Sequence, residues 1–297
     1  MEGFRGNAAK MITRKISENA AMAPGAAGTL YVVATPIGNL GDLSTRAREV
    51  LGAVAAICAE DTRHTRQLLT AYGMEKPLVA LHEHNEAEIA WRLVERLRGG
   101  ESLALVSDAG TPLVSDPGYR LVREVRAAGL RVSPVPGACA AIAALSVAGI
   151  PSDRFCFEGF LPAKGSARRE RLQALARETR TLVFYESSHR IEESLVDFVA
   201  SFGGAREAVL ARELTKLFET VLGENLETIL QRVRGDENQR KGEFVLVVRG
   251  CEDDSAAALI EGQRLYAKLK EHLSPSQAAK LAAELSGAPR KALYKAE

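Results

Sequence analysis

A chain of 297 residues, 46% hydrophobic and 26% charged, is longer than one hydrophobic core usually organises, so two compact domains with additions are expected of a folded soluble protein. Its formal net charge of +1 excludes nucleic-acid binding driven by the global field and leaves that role to local basic patches. Aromatics at 5%, with Trp91 the single indole, argue against a broad base-stacking platform.

Residues 1–28 carry a few positive charges and an Ala/Gly-rich end but no long apolar core, and read as a mobile tail rather than a signal peptide. From Leu30 onward short β-branched runs alternate with amphipathic stretches. Leu30 to Ala34 reads as a strand, followed by the loop Thr35-Pro36-Ile37-Gly38-Asn39-Leu40 and a helix capped by Ser44 or Thr45, with Leu43, Ala47, Val50 and Leu51 on one face. Strands at Val54 to Ala59, Leu78 to Leu81 and Leu103 to Val106 end at Glu60-Asp61-Thr62-Arg63, His82-Glu83-His84-Asn85-Glu86 and Ser107-Asp108-Ala109-Gly110-Thr111-Pro112. A helix at about Tyr119 to Ala128 and a strand at Arg131 to Val135 complete a first α/β domain over 29–135, with a mostly parallel sheet.

A second α/β domain is expected over 136–250. It holds the apolar helix Ala138 to Ile150, too short to span a bilayer, and strands at Phe155 to Glu158, Thr181 to Tyr185, Ala208 to Ala211 and Phe244 to Val248, with Phe218 to Glu224 as an antiparallel addition. Residues 251–297 read as an acidic linker, Glu252-Asp253-Asp254-Ser255, and a helix-turn-helix-like segment in which Ser274 caps Pro275 to Leu285, Gly287 stops the helix and a restart follows Pro289. Cys58, Cys139, Cys156 and Cys251 lie far apart without a CxxC spacing, which excludes a zinc ribbon or redox pair and fits free thiols in a reducing cytoplasm.

In open parallel sheets ligands gather at the carboxyl ends of the strands, and here four consecutive strand ends carry the least ordinary loops. Gly159 to Ser166 has Lys and Gly in the wrong order for a phosphate-cradling loop, and Gly38-Asn39-Leu40-Gly41 lacks the dinucleotide spacing. Ser107 to Gly118 packs two Gly, two Pro and two Asp into a strand-to-helix turn. Asp108 is expected to accept ribose hydroxyl hydrogen bonds, whereas Asp116-Pro117 reads as a helix start. Pro136-Gly137-Ala138-Cys139-Ala140 opens an Ala-rich helix whose free N–H groups suit a carboxylate or nucleoside edge, and whose small residues equally suit tight packing. His82-Glu83-His84 lacks further ligands nearby, so no metal is expected. His189 reads either as a base or as a helix-capping residue. Proton removal from a weakly acidic hydroxyl needs a carboxylate, a lysine or ordered water, and Glu213, Lys216 and Glu243 are the candidates.

Eight segments carry a resemblance that runs in order from about Leu30 to Arg249: Thr35 to Leu40, Ala59 to Arg63, Leu81 to Glu86, Ser107 to Gly118, Gly159 to Pro162, Phe184 to Ser187, Ala211 to Lys216 and Lys241 to Phe244. Together they resemble the bacterial small-subunit rRNA (cytidine-2′-O)-methyltransferases of the tetrapyrrole methylase superfamily. The resemblance implies two α/β domains with S-adenosylmethionine in the cleft between them, a small C-terminal helical appendage, a cytoplasmic homodimer, and methylation of a cytidine in the decoding centre of 16S rRNA, naked or within the 30S subunit. It assigns the cofactor to Pro36, Gly38, Asp108, Gly110, Thr111, Ala138, Cys139 and Ala140, with Phe160, Leu161, Leu214 and Gly242 contributing from the second domain. Leu265 to Lys295 resembles the helix-turn-helix of many members, with Lys280, Arg290, Lys291 and Lys295 as phosphate contacts. Lys164, Arg168, Arg169 and Arg171 form a locally one-signed run, interrupted by Glu170, that reads as a phosphate contact or as a solvated helix face. Ser188 stands where the family commonly has Pro, and the N-terminal tail exceeds the family core. Two other readings compete: a small-molecule methyltransferase acting on porphyrin-type rings or diphthine precursors, and a non-catalytic ribosome-assembly protein.

Overall fold

The computed structural model describes residues 27–82, 84–251 and 254–293. The segment read as a mobile tail lies outside them except for its last residues, as do Glu83, Lys295 and the first half of the acidic linker. Contacts divide the chain into two compact units, Met1–Ala140 and Ala141–Glu297.

The first unit is built on a five-stranded sheet in the order β3-β2-β4-β1-β5, with β1 at Thr29–Val33, β2 at Ala56–Ala59, β3 at Leu78–Ala80, β4 at Leu103–Val106 and β5 at Arg131–Val135. Every pairing is parallel. Buried on both faces, β2 (AICA) and β4 (LALV) show no polar alternation. Helices α1 (Thr45–Ala53) and α2 (Thr62–Ala71) place Val50, Leu51 and Leu69 on one face, and α3 (Glu86–Arg98) and α4 (Tyr119–Ala127) place Leu93, Leu97, Leu121 and Val125 on the other. Ser44 caps α1 by accepting from the Ala47 N–H, and Asp61 caps α2 by accepting from the Arg63 N–H at 2.8 Å. Helix α4 does not start at Asp116-Pro117. Gly118, at φ 124°, is its N-cap, and the buried Glu86 carboxylate of α3 accepts from the Leu121 N–H at 2.8 Å. A capping acid supplied by another helix leaves no local signature in the sequence.

In the second unit α5 (Ala140–Ala148) precedes a mixed sheet in the order β6-β7-β10-β8-β9. Its strands are β6 (Phe155–Phe160), β7 (Thr181–Ser187), β8 (Glu207–Arg212), β9 (Thr220–Asn225) and β10 (Glu243–Val248). Only β6 and β7 pair in parallel; the other neighbours are antiparallel. Helices α6 (Gly165–Leu175), α7 (Ile191–Phe202) and α8 (Leu226–Gly235) supply Leu172, Leu195, Phe198, Ile229 and Val233 to its core, where the Phe184 and Phe198 rings meet edge to face at 4.9 Å.

The C-terminal helices are α9 (Asp254–Leu269), α10 (Pro275–Ser286) and α11 (Arg290–Leu293). The expected linker ends early, since Asp254 already begins α9. Gly287 closes α10 at φ 74° in the left-handed region, as its place in the sequence foretold. Gly262 lets the helices approach: a Cβ there would stand 2.7 Å from Ser286 Oγ and 2.8 Å from Ala288 Cβ. Among the described residues no helix is long and apolar enough to cross a membrane.

Candidate functional site

At the carboxyl end of the first unit's sheet, three loops are tied into one surface. The Thr35 N–H donates to the Gly110 carbonyl at 2.8 Å and the Gly110 N–H returns to the Thr35 carbonyl at 3.1 Å. Thr111 Oγ1 donates to the Ala138 carbonyl at 2.9 Å, joining the loops after β4 and β5. Gly110 sits at φ 81°, where a Cβ would come 3.2 Å from Ile37 Cγ2, and a Cβ on Gly137 would come 2.9 Å from Ala34 Cβ. Both positions therefore require glycine for close backbone approach. Leu113 and Ser115 hold positive φ of 74° and 67°, a backbone strain typical of ligand-binding turns.

Asp108 projects from the end of β4 and accepts from the Asp61 N–H through Oδ1 at 3.1 Å, which fixes the carboxylate. Asp116, assigned to a helix start by sequence, instead joins this acidic end of the sheet. Burial pushes its carboxyl up to about 6; the Ser107 hydroxyl opposes that rise, and the charges of Glu60 and Asp108 add to it. Pro36 is buried, Gly38 exposed, and Ala138, Cys139 and Ala140 partly exposed. The expected cofactor residues of the first unit thus occupy linked strand-end loops. Thr35, which sequence reasoning did not single out, is the buried residue that links two of them.

In the second unit, the three candidate proton acceptors come together. Lys216 Nζ donates to Glu213 Oε1 and to Glu243 Oε2, each at 2.9 Å. Glu213 Oε1 also accepts from the Glu243 N–H at 2.9 Å, and the Glu213 N–H donates to the Glu243 carbonyl at 2.9 Å. Glu213 and Thr215 lie at φ 50° and 66°. The loop is locked by the buried Arg212, whose Nε donates to the Lys241 carbonyl at 2.6 Å and Nη1 to the Phe218 carbonyl at 2.9 Å. Gly242, at φ 99°, passes so close that a Cβ would stand 2.5 Å from the Glu213 side chain. Burial raises Glu213, but the hydrogen bonds from Lys216 and the Glu243 backbone outweigh it and hold the carboxyl below its ordinary value. Burial lowers Lys216, yet its two carboxylate partners outweigh that and hold the ammonium above its ordinary value. Lys216 is thus held in its charged form between two carboxylates.

Two further candidates are buried. Leu161 is 4% exposed and packs in the core of the second unit, so only its backbone is available, and its carbonyl already accepts from Arg190 Nη1 at 3.2 Å. Arg168 does not lie on a solvated helix face. It is 3% exposed, and its Nε donates to Asp197 at 2.7 Å. It shares an inner stripe with Leu172 and Leu175, so an i, i+4, i+7 count gave the signal. Phe160 is exposed and its ring meets Tyr185 at 5.5 Å, while Leu214 is partly exposed. Lys164, Arg169, Lys280, Arg290 and Lys291 are exposed; Arg171 pairs with Glu158 and Arg290 Nη2 donates to Ser276 Oγ at 2.9 Å. His189 lies exposed in the turn before α7, whose N-cap is Arg190, so it is not the cap. The His82 and His84 rings lie 6.1 Å apart, and among the described residues no group of three or more His, Cys, Asp or Glu is placed to hold a metal.

The architecture is thus a parallel sheet with glycine-lined loops at its strand ends, followed by a mixed sheet. The sequence model of the tetrapyrrole (corrin/porphyrin) methylases matches residues 29–230, and that of the RsmI C-terminal HTH domain matches residues 256–296. Among solved structures, a cobalt precorrin-4 methyltransferase covers 76% of this chain and 97% of its own at 15% identity and TM-score 0.57, and a diphthine synthase covers 75% and 90% at 17% identity and TM-score 0.56. Ribosomal RNA small subunit methyltransferase I of Xylella fastidiosa (strain Temecula1) is 67% identical over 90% of this chain and 98% of its own length. The protein of the same name from Escherichia coli O157:H7 is 55% identical over 90% and 94%, and that of Neisseria meningitidis serogroup B 47% identical over 90% and 92%. The chain belongs to the ribosomal RNA small subunit methyltransferase I family of tetrapyrrole methylases.

Proposed function

We propose that this protein transfers a methyl group from S-adenosylmethionine to the ribose 2′-hydroxyl of a cytidine in the decoding centre of 16S rRNA. The observation that carries this reading is the Glu213–Lys216–Glu243 cluster, found in a chain whose relatives are named for methylating small-subunit rRNA. A ribose hydroxyl is too weak an acid to attack unaided, so a fixed acceptor for its proton is the chemistry such a cluster supplies.

The first unit's loops fit a nucleoside-bearing methyl donor. Gly110 and Gly137 keep the surface free of Cβ atoms, Asp108 Oδ2 suits ribose hydroxyls, and Pro36, Gly38, Thr111, Ala138, Cys139 and Ala140 complete the lining. The donor supplies a sulfonium methyl: the O–CH3 bond forms as the CH3–S bond breaks, and its electron pair stays on sulfur. Glu243, the more exposed carboxylate at 76% of its side chain, takes the proton. Lys216 holds both carboxylates in place, and Glu213 anchors Lys216 and the Glu243 backbone. The exposed Lys280, Arg290 and Lys291 of the C-terminal helices serve as phosphate contacts.

The test is methyl transfer from labelled S-adenosylmethionine to hypomethylated 30S subunits, naked 16S rRNA and a porphyrinogen. Label on RNA is expected. Label on the porphyrinogen alone would overturn the substrate, and subunit binding without transfer would make the protein an assembly factor.

A further inference from the structure

Within the second unit, Arg168 is the least ordinary buried charge. Its Nε is satisfied by Asp197 at 2.7 Å, and its Nη2 touches Glu193 at 3.5 Å, a carboxylate whose side chain is 75% exposed. Nη1 is buried with no hydrogen-bond partner. A guanidinium nitrogen left unpaired in the interior is costly, and this one belongs to a side chain that lines a hollow of about 680 Å³.

The rest of the lining has one character. Arg169, Arg234, Arg240 and His189 face the same hollow, and four arginines stand against the three carboxylates Glu192, Glu193 and Asp197. Asp197 answers Arg168, and also Arg169 at 3.5 Å, while Glu192 is shared between Arg234 and Arg240. Positive charge is therefore in excess. The hollow also includes Ser188, His189 and Ile191 at the start of the 12-residue α7, which no side chain caps. The positive end of a helix dipole thus borders the same hollow as the Arg168 side chain.

We infer that this hollow is a phosphate-binding site that holds a backbone phosphodiester of the substrate RNA. A phosphate presents several acceptor oxygens to a planar guanidinium. It would satisfy Arg168 Nη1, displace the loosely held Glu193 and draw on Arg240. The volume leaves room for the sugars on either side of a phosphodiester, which a site for the free ion alone does not need. The RNA assignment rests on the proposed function; the phosphate site itself does not.

The test compares full-length wild type with Arg168→Lys and Arg240→Gln. Lysine keeps the charge beside Asp197 but removes the Nη1 donor, and Arg240 is exposed enough for its loss to spare the fold. Affinity for hypomethylated 30S subunits is measured across a salt series, and inorganic phosphate is titrated while the arginine side-chain NMR signals are followed. Each variant is expected to weaken subunit binding by roughly tenfold, and Arg240→Gln, which removes a charge, to lower the salt slope by about one while Arg168→Lys leaves it unchanged, with binding of S-adenosylmethionine unchanged. Inorganic phosphate should shift the Arg168 and Arg240 signals of the wild type. Wild-type affinity and slope in Arg240→Gln would overturn the RNA assignment, and unmoved arginine signals would overturn the site. Phosphate shifts in a wild type that transfers no methyl to any RNA would instead sink the proposed function and leave the site standing.

Discussion

Gly242→Ala probes the proposed base most sharply, because the new methyl falls on the side chain that organises it. At φ 99° an alanine costs about 1–2 kcal/mol in backbone strain. Its Cβ would also stand 2.5 Å from Glu213 Cγ, Cδ and Oε1. Glu213 must then move, giving up the bonds from Lys216 Nζ and the Glu243 N–H, about 1 kcal/mol each. The sum of about 3–4 kcal/mol corresponds to a fall in melting temperature of roughly 6–16 °C. Gly203→Ala isolates the strain, since Gly203 lies at φ 85° with nothing within 4 Å of its would-be Cβ. It should lose only roughly 2–8 °C and keep full turnover. Gly242→Ala should lose at least about a hundredfold in kcat, the lower range for general-base catalysis. Thermal melts beside single-turnover methyl transfer give both numbers. Equal melting losses in the two variants, or full turnover in Gly242→Ala, would refute the reasoning.

Asp116→Asn should raise the melting temperature at pH 7.5 and leave it unchanged near pH 4. The folded carboxyl titrates near 6 against an ordinary 3.8, so the stability its protonated form contributes is present below pH 4 and lost as pH rises to 6; a gain at pH 4 that disappears at pH 7.5 would reverse the sign. Asp108→Ala removes both the acceptor for a ribose and the bond to the Asp61 N–H, and calorimetry should show S-adenosylmethionine affinity falling at least about tenfold; wild-type titration would remove Asp108 from the donor site. Asp197→Ala strands the buried Arg168 and should cost about 3–5 kcal/mol, read as a lowered denaturation midpoint. A midpoint close to wild type would show that Arg168 finds another partner.

What the sequence announced, and what it concealed, follows from how local each cause is. The Ser44 cap, the Gly287 stop and the alternation of strands with helices depend on neighbours a few residues away. The strand-end loops could likewise be picked out from their Gly, Pro and Asp content, and Glu213, Lys216 and Glu243 could be named as candidates. Their meeting point could not, because it depends on the antiparallel register that sets Arg212 opposite Phe244. Residues whose partners lie far off in the chain could not be placed from local sequence. Glu86 caps a helix 35 positions away, Arg168 answers Asp197 across 29, and the state of Asp116 is set by its burial and its hydrogen bond with Ser107, against the like charges of Glu60 and Asp108, rather than by its own turn. Leu161 was assigned by its loop, although burial among Leu172, Phe184 and Ile191 decides what it can touch.

The central claim is a ribose methyl placed by a carboxylate base, and one measurement addresses it directly: nucleoside mass analysis of 16S rRNA from hypomethylated 30S subunits after incubation with S-adenosylmethionine and either wild type or Glu243→Gln. The account predicts 2′-O-methylcytidine with the wild type and its near loss with Glu243→Gln, at unchanged donor affinity. A methyl group on the base, or wild-type yield from Glu243→Gln, would contradict it.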